Sequence, residues 1–301
     1  MGTAFQNYPV RIRIRTRFYN LFRYFFKISL LESFLLYKIL YKPRNIFYKF
    51  IPPLYLYKPG SMRLVERNNL KYALDISRLL DHSIFFGVVN EPSWINLFKN
   101  LKSNSVVLDT GANIGYLSLH FAHVCPQGFV FSFEPDSENY RDLERNVQLN
   151  GFQNIKTFPL ALGARSEKAI LFKIHPRNPG ANRILPIEPP HQSRWEWVEV
   201  NTLDEIVEEI GISKIDLWKI DVEGYEMFVL LGGSASIRKW KPTLFVELVE
   251  ENLREQGYTA LSLIEHIENL GYEVLDAKTM QAVERFKPDH HTDIICFSKS
   301  A

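Results

Sequence analysis

Cysteine is scarce in this chain of 301 residues, which contains only Cys125 and Cys296. Two cysteines far apart in sequence provide neither a disulfide framework nor a cysteine-based zinc site, and they fit a reducing compartment. The 46% of hydrophobic and 23% of charged residues are typical of a soluble globular protein. We therefore expect a cytoplasmic protein of one large or two modest domains.

Long apolar runs are also missing. The uncharged stretches fall well short of the roughly 18–20 residues that cross a bilayer. No apolar run near the start ends in the small residues of a signal-peptide cleavage site, and basic residues recur throughout that region. The pattern therefore predicts neither a membrane-spanning helix nor a secretory signal.

Acidic residues are nearly absent from residues 1–60, which we call the basic head. This segment has eleven Lys and Arg, a single acid, Glu32, and 16 of the 41 aromatic residues. Its net charge is +10, and because the whole chain has +2, residues 61–301 carry −8. Prolines at 43, 52, 53 and 59 mark a linker. We expect a basic, aromatic helical extension over 1–60 and a folded domain over 61–301.

The basic head contains a predicted amphipathic helix. Its apolar face comprises Phe18, Leu21, Phe22, Phe25 and Ile28. Its polar face comprises Asn20, Arg23 and Lys27. Three interpretations stay open: the helix packs on the acidic remainder of the chain, lies on an anionic membrane surface, or binds an acidic substrate or nucleic acid. The second would make the protein peripheral at a membrane.

After residue 61, short apolar strands alternate with helices. Strand signals cover 106–109, 129–134, 155–160, 215–221, 244–249 and 294–297. Helical signals cover 116–124, 136–150, 225–237 and 258–270. This alternation predicts an α/β fold with a mostly parallel sheet covered on both faces. The interval 173–197 is rich in proline and has no clear period, so we expect a long loop there.

A glycine-rich turn joins the first of these strands to a helix. Asp109, Gly111 and Gly115 form the pattern Asp-x-Gly-x-x-x-Gly, and the pattern Gly-x-Gly-x-x-Gly of dinucleotide sites is missing. Ligands of open α/β sheets bind beyond the carboxyl ends of the strands. Because an acid at such a turn would repel a phosphate, a neutral or cationic nucleoside fits better than a phosphorylated one.

Glu134 ends the second strand, 25 residues beyond Asp109. A carboxylate at this place can accept hydrogen bonds from both hydroxyls of a ribose. The glycine turn and Glu134 together predict a bound nucleoside.

The chain resembles the FkbM family of S-adenosylmethionine-dependent methyltransferases over roughly residues 84–250. The resemblance rests on four stretches: "VVLDTGANIGYLSL", "GFVFSFEPDSENYRDLERNVQLN", "FPLALG" and "IDLWKIDVEGYEMFVLLGG". It implies the Rossmann-like class I methyltransferase fold, with a seven-stranded sheet whose last strand, near 292–297, is antiparallel. It also implies S-adenosylmethionine as methyl donor and a hydroxyl group as the common acceptor. We therefore expect O-methylation of a saccharide, a lipid-linked glycan or another small molecule by the domain 61–301.

The resemblance also implies roles for individual residues around the cofactor. The turn around the methionine portion would comprise Asp109, Gly111, Asn113 and Gly115. Glu134 would bind the ribose. Ala161 and Leu162 would lie near the adenine.

The motif "LWKIDVEGYE" concentrates charge at the end of the fourth predicted strand. Clustered carboxylates there suit a general base, a metal site or substrate orientation. We expect Asp221 or Glu223 to accept or orient the proton of the acceptor hydroxyl, with Lys219 fixing the carboxylates, and we expect no metal. In the alternative interpretation, Lys219 and Asp221 form a structural ion pair and Glu223 caps the next helix.

Other residues and functions compete with this hypothesis. A metal held by Asp221, Glu223 and Glu247 is one alternative, and His175 or His191 as the base is another. An RNA or protein methyltransferase would use the basic head for docking, although the remainder is acidic and lacks the Asn/Asp-Pro-Pro-Tyr motif of base-flipping methylases. A non-catalytic, membrane-associated scaffold stays open, whereas the glycine spacing argues against an NAD oxidoreductase.

Overall fold

The structure, a computed structural model, describes residues 14–41, 46–89, 91–191, 193–285 and 291–299. These residues form two compact units. The smaller unit consists of the described residues before Glu91 together with 176–178. The larger unit contains the rest. The predicted division at residue 60 stays a prediction.

Two helices come first in the described part of the smaller unit. Its elements are α1 (Ile14–Phe25), α2 (Ser29–Tyr41), the short 3₁₀ helices Ile46–Phe50 and Leu54–Leu56, the strands β1 (Met62–Arg67) and β2 (Leu70–Asp75), and α3 (Leu79–Phe85). Leu35 and Ile39 of α2 are fully buried, as is Tyr72 of β2. The strands form an antiparallel hairpin, whose two-residue turn at Asn68 and Asn69 has the positive φ angles of tight hairpins. Among the described residues, no helix is both long enough and apolar enough to cross a bilayer.

The larger unit alternates strands and helices. Its strands are β3 (Val106–Thr110), β4 (Phe129–Phe133), β5 (Ile155–Phe158), β6 (Ala161–Leu162), β7 (Glu167–Phe172), β8 (Arg183–Ile184), β9 (Trp195–Asn201), β10 (Leu217–Ile220), β11 (Thr243–Val249), β12 (Tyr272–Asp276) and β13 (His291–Ser298). Its helices are α4 (Ser93–Lys99), α5 (Tyr116–Val124), α6 (Ser137–Asn150), α7 (Leu203–Ile210), α8 (Glu226–Gly232), α9 (Ser234–Trp240), α10 (Glu250–Glu255) and α11 (Ala260–Asn269).

Seven strands form the main sheet in the order β12-β13-β11-β10-β3-β4-β5. The last strand, β13, runs antiparallel between β11 and β12, and the remaining neighbours are parallel. Val107 and Leu108, adjacent in β3, are both fully buried, so this strand is covered on its two faces. The predicted class I methyltransferase fold, with its antiparallel last strand, is confirmed. The carboxyl ends of β3, β4, β10 and β11 meet at one edge of the sheet.

A second, four-stranded sheet with the order β6-β9-β7-β8 was not expected from the sequence. It includes part of the interval 173–197, which contains β8, a 3₁₀ turn at Pro179–Ala181 and the start of β9. The prediction of one long loop there was therefore only partly right. The strand Arg183–Ile184 pairs with the end of β7 and so fixes the middle of the interval.

One predicted helix, 225–237, is in fact two, α8 and α9. The break falls at Gly232 and Gly233, where neighbouring groups approach closely. A side chain on Gly232 would lie 1.9 Å from the carbonyl oxygen of Gly163, and one on Gly233 would lie 2.4 Å from the ring of Trp218. The two glycines therefore let the helices pack against β10 and the second sheet.

Candidate active site

The glycine turn between β3 and α5 packs against the end of β10. Gly111 has a φ of +77°, and a Cβ atom there would lie 1.8 Å from the main-chain oxygen of Asp221. The main-chain nitrogens of Gly111 and Ala112 both donate to the carbonyl oxygen of Phe133 at 3.0 Å. The turn is thus held between the ends of β4 and β10. The structure brings together two motifs that lie about a hundred residues apart in the chain.

Asp109 is fully buried at the end of β3. Its Oδ2 accepts a hydrogen bond of 2.5 Å from the hydroxyl of Ser118, and its Oδ1 lies 3.3 Å from Nζ of Lys219. The carboxylate therefore positions Lys219 beneath the turn. Its predicted place near the methionine portion of a cofactor stays a prediction.

Glu134 connects the end of β4 to the glycine turn. Its Oε2 accepts a hydrogen bond of 2.7 Å from the main-chain nitrogen of Asn113, and its Oε1 accepts one of 3.0 Å from that of Asp136. Burial raises the pKa of Glu134 to about 7, against the lowering effect of these bonds. Its predicted ribose contact stays a prediction.

Two buried acceptor atoms flank Glu134. The side-chain oxygens of Asn113 and Asn139 have no hydrogen-bond partner within the part of the chain that the structure describes. Asn113 has a left-handed φ of +51°, and Nδ2 of Asn139 lies 3.5 Å from Oε1 of Glu134. Buried acceptors without donors are costly. Hydroxyl, amino or ammonium groups of a nucleoside ligand would provide the missing donors.

Ala161 and Leu162 form the short strand β6, beside β9. Both side chains are buried in the apolar core that underlies the second sheet. Their predicted place near an adenine ring stays a prediction. Gly115 begins α5 with a φ of +85°, and a Cβ there would lie 2.5 Å from the side chain of Leu143.

Lys219 is the buried cation of the site. Its Nζ donates hydrogen bonds to the carbonyl oxygens of Gly111, at 2.7 Å, and Thr110, at 3.2 Å. It also lies 3.5 Å from Oδ2 of Asp221. Burial alone lowers the pKa of Lys219, but the charges of Asp221 and Asp109 outweigh it and the pKa is raised. Lys219 is therefore charged and joins β3 to β10.

Glu223 follows β10 in a left-handed backbone conformation, with a φ of +54°. This conformation costs about 1 kcal/mol for a residue other than glycine. Its Oε2 accepts a hydrogen bond of 2.8 Å from Asn252, whose side-chain oxygen accepts one from Arg183. Burial and the nearby charge of Asp221 raise the pKa of Glu223. Strain of this kind is typical of functional positions.

Another carboxylate, Glu226, is buried at the first residue of α8. Its Oε1 accepts hydrogen bonds from the main-chain nitrogens of Val222, at 3.2 Å, and Gly224, at 3.0 Å. Burial raises the pKa of Glu226 to about 7. Glu226, rather than Glu223, therefore accepts the hydrogen bonds of the main-chain nitrogens that precede α8.

Two further carboxylates complete the cluster. Glu247 of β11 pairs in register with Asp293 of β13. Burial and the charge of Asp221 raise the pKa of Glu247 well above its ordinary value. Burial also raises the pKa of Asp293 to about 6, although Ser93 donates a 2.5 Å hydrogen bond to it. Within this cluster, the ammonium group of Lys219 lies 3.3 Å from the carboxylate of Asp109 and 3.5 Å from that of Asp221.

Sequence reasoning missed Asn252 and Asp293 as members of the site. Asp293 lies on β13 opposite Glu247 of β11. A prediction of the register between these two strands could therefore have identified Asp293 as a member of the site. Asn252 had no such signal, because its contact to Glu223 depends on the path of the loop into α10. The candidate bases His175 and His191 are both exposed to solvent. No group of three or more His, Cys, Asp or Glu within the described ranges has the geometry to hold a metal ion.

The chain matches the family model described as the methyltransferase FkbM domain over residues 109–274, more than half of its length. It belongs to this family of methyltransferases. The family predicted from the sequence is thereby confirmed, and the cofactor is S-adenosylmethionine, the methyl donor that the resemblance implies.

Two curated proteins and one solved structure illustrate the relationship. Methyltransferase sdnD of Sordaria araneosa is 26% identical over 232 residues, which cover 65% of this chain and 88% of that protein. The 2-O-methyltransferase NoeI of Sinorhizobium fredii is 27% identical over 169 residues, or 51% of this chain and 67% of that protein. The structure of methyltransferase FkbM from Methylobacillus flagellatus KT is 14% identical with a TM-score of 0.45, and the match covers 90% of this chain and 60% of that one.

Proposed function

We propose that the chain methylates a hydroxyl oxygen of a small-molecule acceptor, namely a saccharide, a lipid-linked glycan or a similar alcohol. The observation that carries this proposal is Glu223, a carboxylate with a raised pKa, held by Asn252 on a strained loop beside the glycine turn. A base matched to neutral pH suits the weakly acidic hydroxyl group. The related protein whose name specifies 2-O-methylation supports the same acceptor chemistry.

The residues at the end of β4 would hold the nucleoside part of the cofactor. Glu134 would accept hydrogen bonds from the ribose hydroxyls, and the unpaired oxygens of Asn113 and Asn139 would accept further donors. When bound, S-adenosylmethionine supplies a methyl group made electrophilic by the positive charge on sulfur. The excess of carboxylates around Lys219 favours a cationic ligand of this kind.

Glu223 would act on the acceptor as general base. Its carboxylate would take the proton of the acceptor hydroxyl, which makes that oxygen a better nucleophile for the methyl group that the bound cofactor would supply. Asp221, whose side chain is 43% exposed and paired with Lys219, would orient the acceptor hydroxyl. Alignment and exclusion of water supply most of the remaining rate enhancement in such in-line transfers.

The test is transfer of a labelled methyl group to a panel of neutral saccharides, each matched by its amino sugar. We expect labelled product from both members of a pair, with the methyl group located on oxygen by mass spectrometry and NMR. Methylation of the amino group alone, or of RNA or protein in place of the saccharides, would show that the acceptor class is wrong.

A further inference from the structure

The helix α1 exposes the face that a surface helix normally buries. Phe18, Leu21, Phe22 and Phe25, which we call the α1 apolar face, are between 48% and 63% exposed. Helices of globular proteins usually turn such a face toward the core. Here the face is open to solvent.

The polar face of α1 is occupied within its own unit. Nδ2 of Asn20 donates to the hydroxyl of Tyr55 at 2.7 Å. Nε of Arg23 donates to the carbonyl oxygen of Lys49 at 2.8 Å, and Nζ of Lys27, in the turn directly after the helix, donates to that of Leu56 at 2.5 Å. Rolling the helix to bury its apolar face would break all three bonds. The exposure is therefore built into the way α1 is attached.

Apolar exposure continues along α2. Leu30, Tyr37 and Tyr41 are 80%, 61% and 78% exposed. Phe and Tyr side chains at such density are typical of segments that lie at the boundary between water and lipid, where an apolar ring and a polar tip are both accommodated. An exposed apolar surface of this extent marks a binding site rather than ordinary protein surface.

The charge around this surface has one sign. Glu32 is the only acid between residues 14 and 60, and it is buried against Arg63, whose Nε lies 2.8 Å from its Oε2. No carboxylate of α1 or α2 is therefore left to repel an anion. Residues 14–60 contain nine Lys and Arg against this one acid, and a net positive charge favours a negatively charged partner.

We propose that the α1 apolar face docks on an anionic membrane surface, with α1 lying in the plane of the interface. Its apolar side chains enter the boundary between head groups and acyl chains, and the surrounding Lys and Arg contact lipid phosphates. Its 12 residues are too short to cross the bilayer. Nucleic acid is a poorer occupant, because it offers no apolar phase for four large side chains.

The experiment is sedimentation of the full chain with phosphatidylcholine vesicles, with and without phosphatidylserine. We expect binding that needs phosphatidylserine and weakens in salt. The double variant Phe22→Ser/Phe25→Ser should lose affinity for the vesicles by about tenfold or more, since each substitution removes an inserted ring. The matched control is Leu64→Ser/Ile95→Ser, which removes two side chains that are 75% and 73% exposed elsewhere, and it should bind as the wild type does.

Three results would overturn the proposal: no binding to either vesicle, equal binding to both vesicles, or equal binding by the double variant and its control. Size-exclusion chromatography adds a fourth. If the wild type is an oligomer that the Phe22→Ser/Phe25→Ser variant dissociates, the face is an interface between copies and the proposal is wrong. Circular dichroism spectra equal to that of the wild type establish that both variants are folded.

Discussion

The ammonium nitrogen of Lys219 lies 2.7 Å from the main-chain oxygen of Gly111. This bond, made from within the sheet, ties the end of β10 to the turn after β3. The same nitrogen neutralises Asp109 and Asp221. The glycine turn and Asp221, which we propose orients the acceptor, therefore share one buried cation, and changes at Lys219 should affect both.

Replacing Lys219 with Met should destabilise the protein strongly. The change leaves the buried carboxylate of Asp109 without its cation, which typically costs about 3–5 kcal/mol. Urea denaturation measures the loss. Adding Asp109→Asn to the same chain should restore part of it, because the uncompensated charge disappears. Lys168→Met, at a 68% exposed side chain, is the control, and a Lys219→Met variant no less stable than this control would contradict the assignment.

Gly111→Ala tests the close approach between the turn and β10. Both Gly111 and Gly151 have positive φ angles, but a Cβ at Gly151 meets nothing within 4 Å, whereas one at Gly111 meets the Asp221 oxygen at 1.8 Å. Gly151→Ala should therefore lower the free energy of unfolding by about 1–2 kcal/mol, which is the cost of a left-handed backbone conformation for alanine. The loss for Gly111→Ala should be larger than this by roughly 2 kcal/mol or more, since the turn after β3 must move away from the end of β10. Equal losses in thermal or urea unfolding would mean that the turn is not clamped as described.

Glu226→Gln should change the pH dependence of stability. The pKa of Glu226 is raised from 4.5 to about 7 in the folded chain, so folding favours its protonated form. That contribution is complete below about pH 4.5 and is lost as the pH rises through 7. Glutamine does not titrate, so the Glu226→Gln variant does not lose stability in this way. Its free energy of unfolding relative to wild type should therefore rise between pH 5 and pH 8 by on the order of 2 kcal/mol. A pH-independent difference in the free energy of unfolding would disprove the raised pKa.

Glu223→Gln should separate catalysis from cofactor binding. The amide keeps the shape of the side chain but cannot accept the hydroxyl proton, and loss of a general base typically lowers kcat about 10²–10⁴-fold. The affinity for S-adenosylhomocysteine should stay unchanged. Glu251→Gln, at an exposed position of α10, is the matched control for both measurements. Wild-type turnover by Glu223→Gln would remove the residue from the reaction.

The mostly parallel character of the main sheet followed from the sequence because its strands are short apolar runs separated by clear helices. Helix α5 has the predicted bounds, Tyr116–Val124. The second sheet was missed, although "WEWVEVN" in β9 alternates as a half-buried strand does. Two other strands of this sheet, β6 (Ala161–Leu162) and β8 (Arg183–Ile184), have two residues each, too few for any periodicity to reveal.

The cofactor turn and the charged motif after β10 were recognisable from residue types and spacing. The contacts within them were not. That Asp109 faces Lys219, or that Asn252 holds Glu223, depends on rotamers and loop paths set by tertiary packing. The exposure of the α1 apolar face could not be predicted from the sequence either. An amphipathic pattern identifies the two faces of a helix but does not show which of them is exposed to solvent.

The central claim is a nucleoside site formed by Glu134 and the glycine turn, and calorimetric titration with S-adenosylhomocysteine and, separately, NAD tests it most directly. We expect micromolar binding of S-adenosylhomocysteine by the wild type, no binding of NAD, and affinity weakened by about 1–3 kcal/mol in Glu134→Ala. Glu273→Ala, at an exposed position of β12, should bind normally. Binding of NAD instead, or unchanged affinity in Glu134→Ala, would contradict the account.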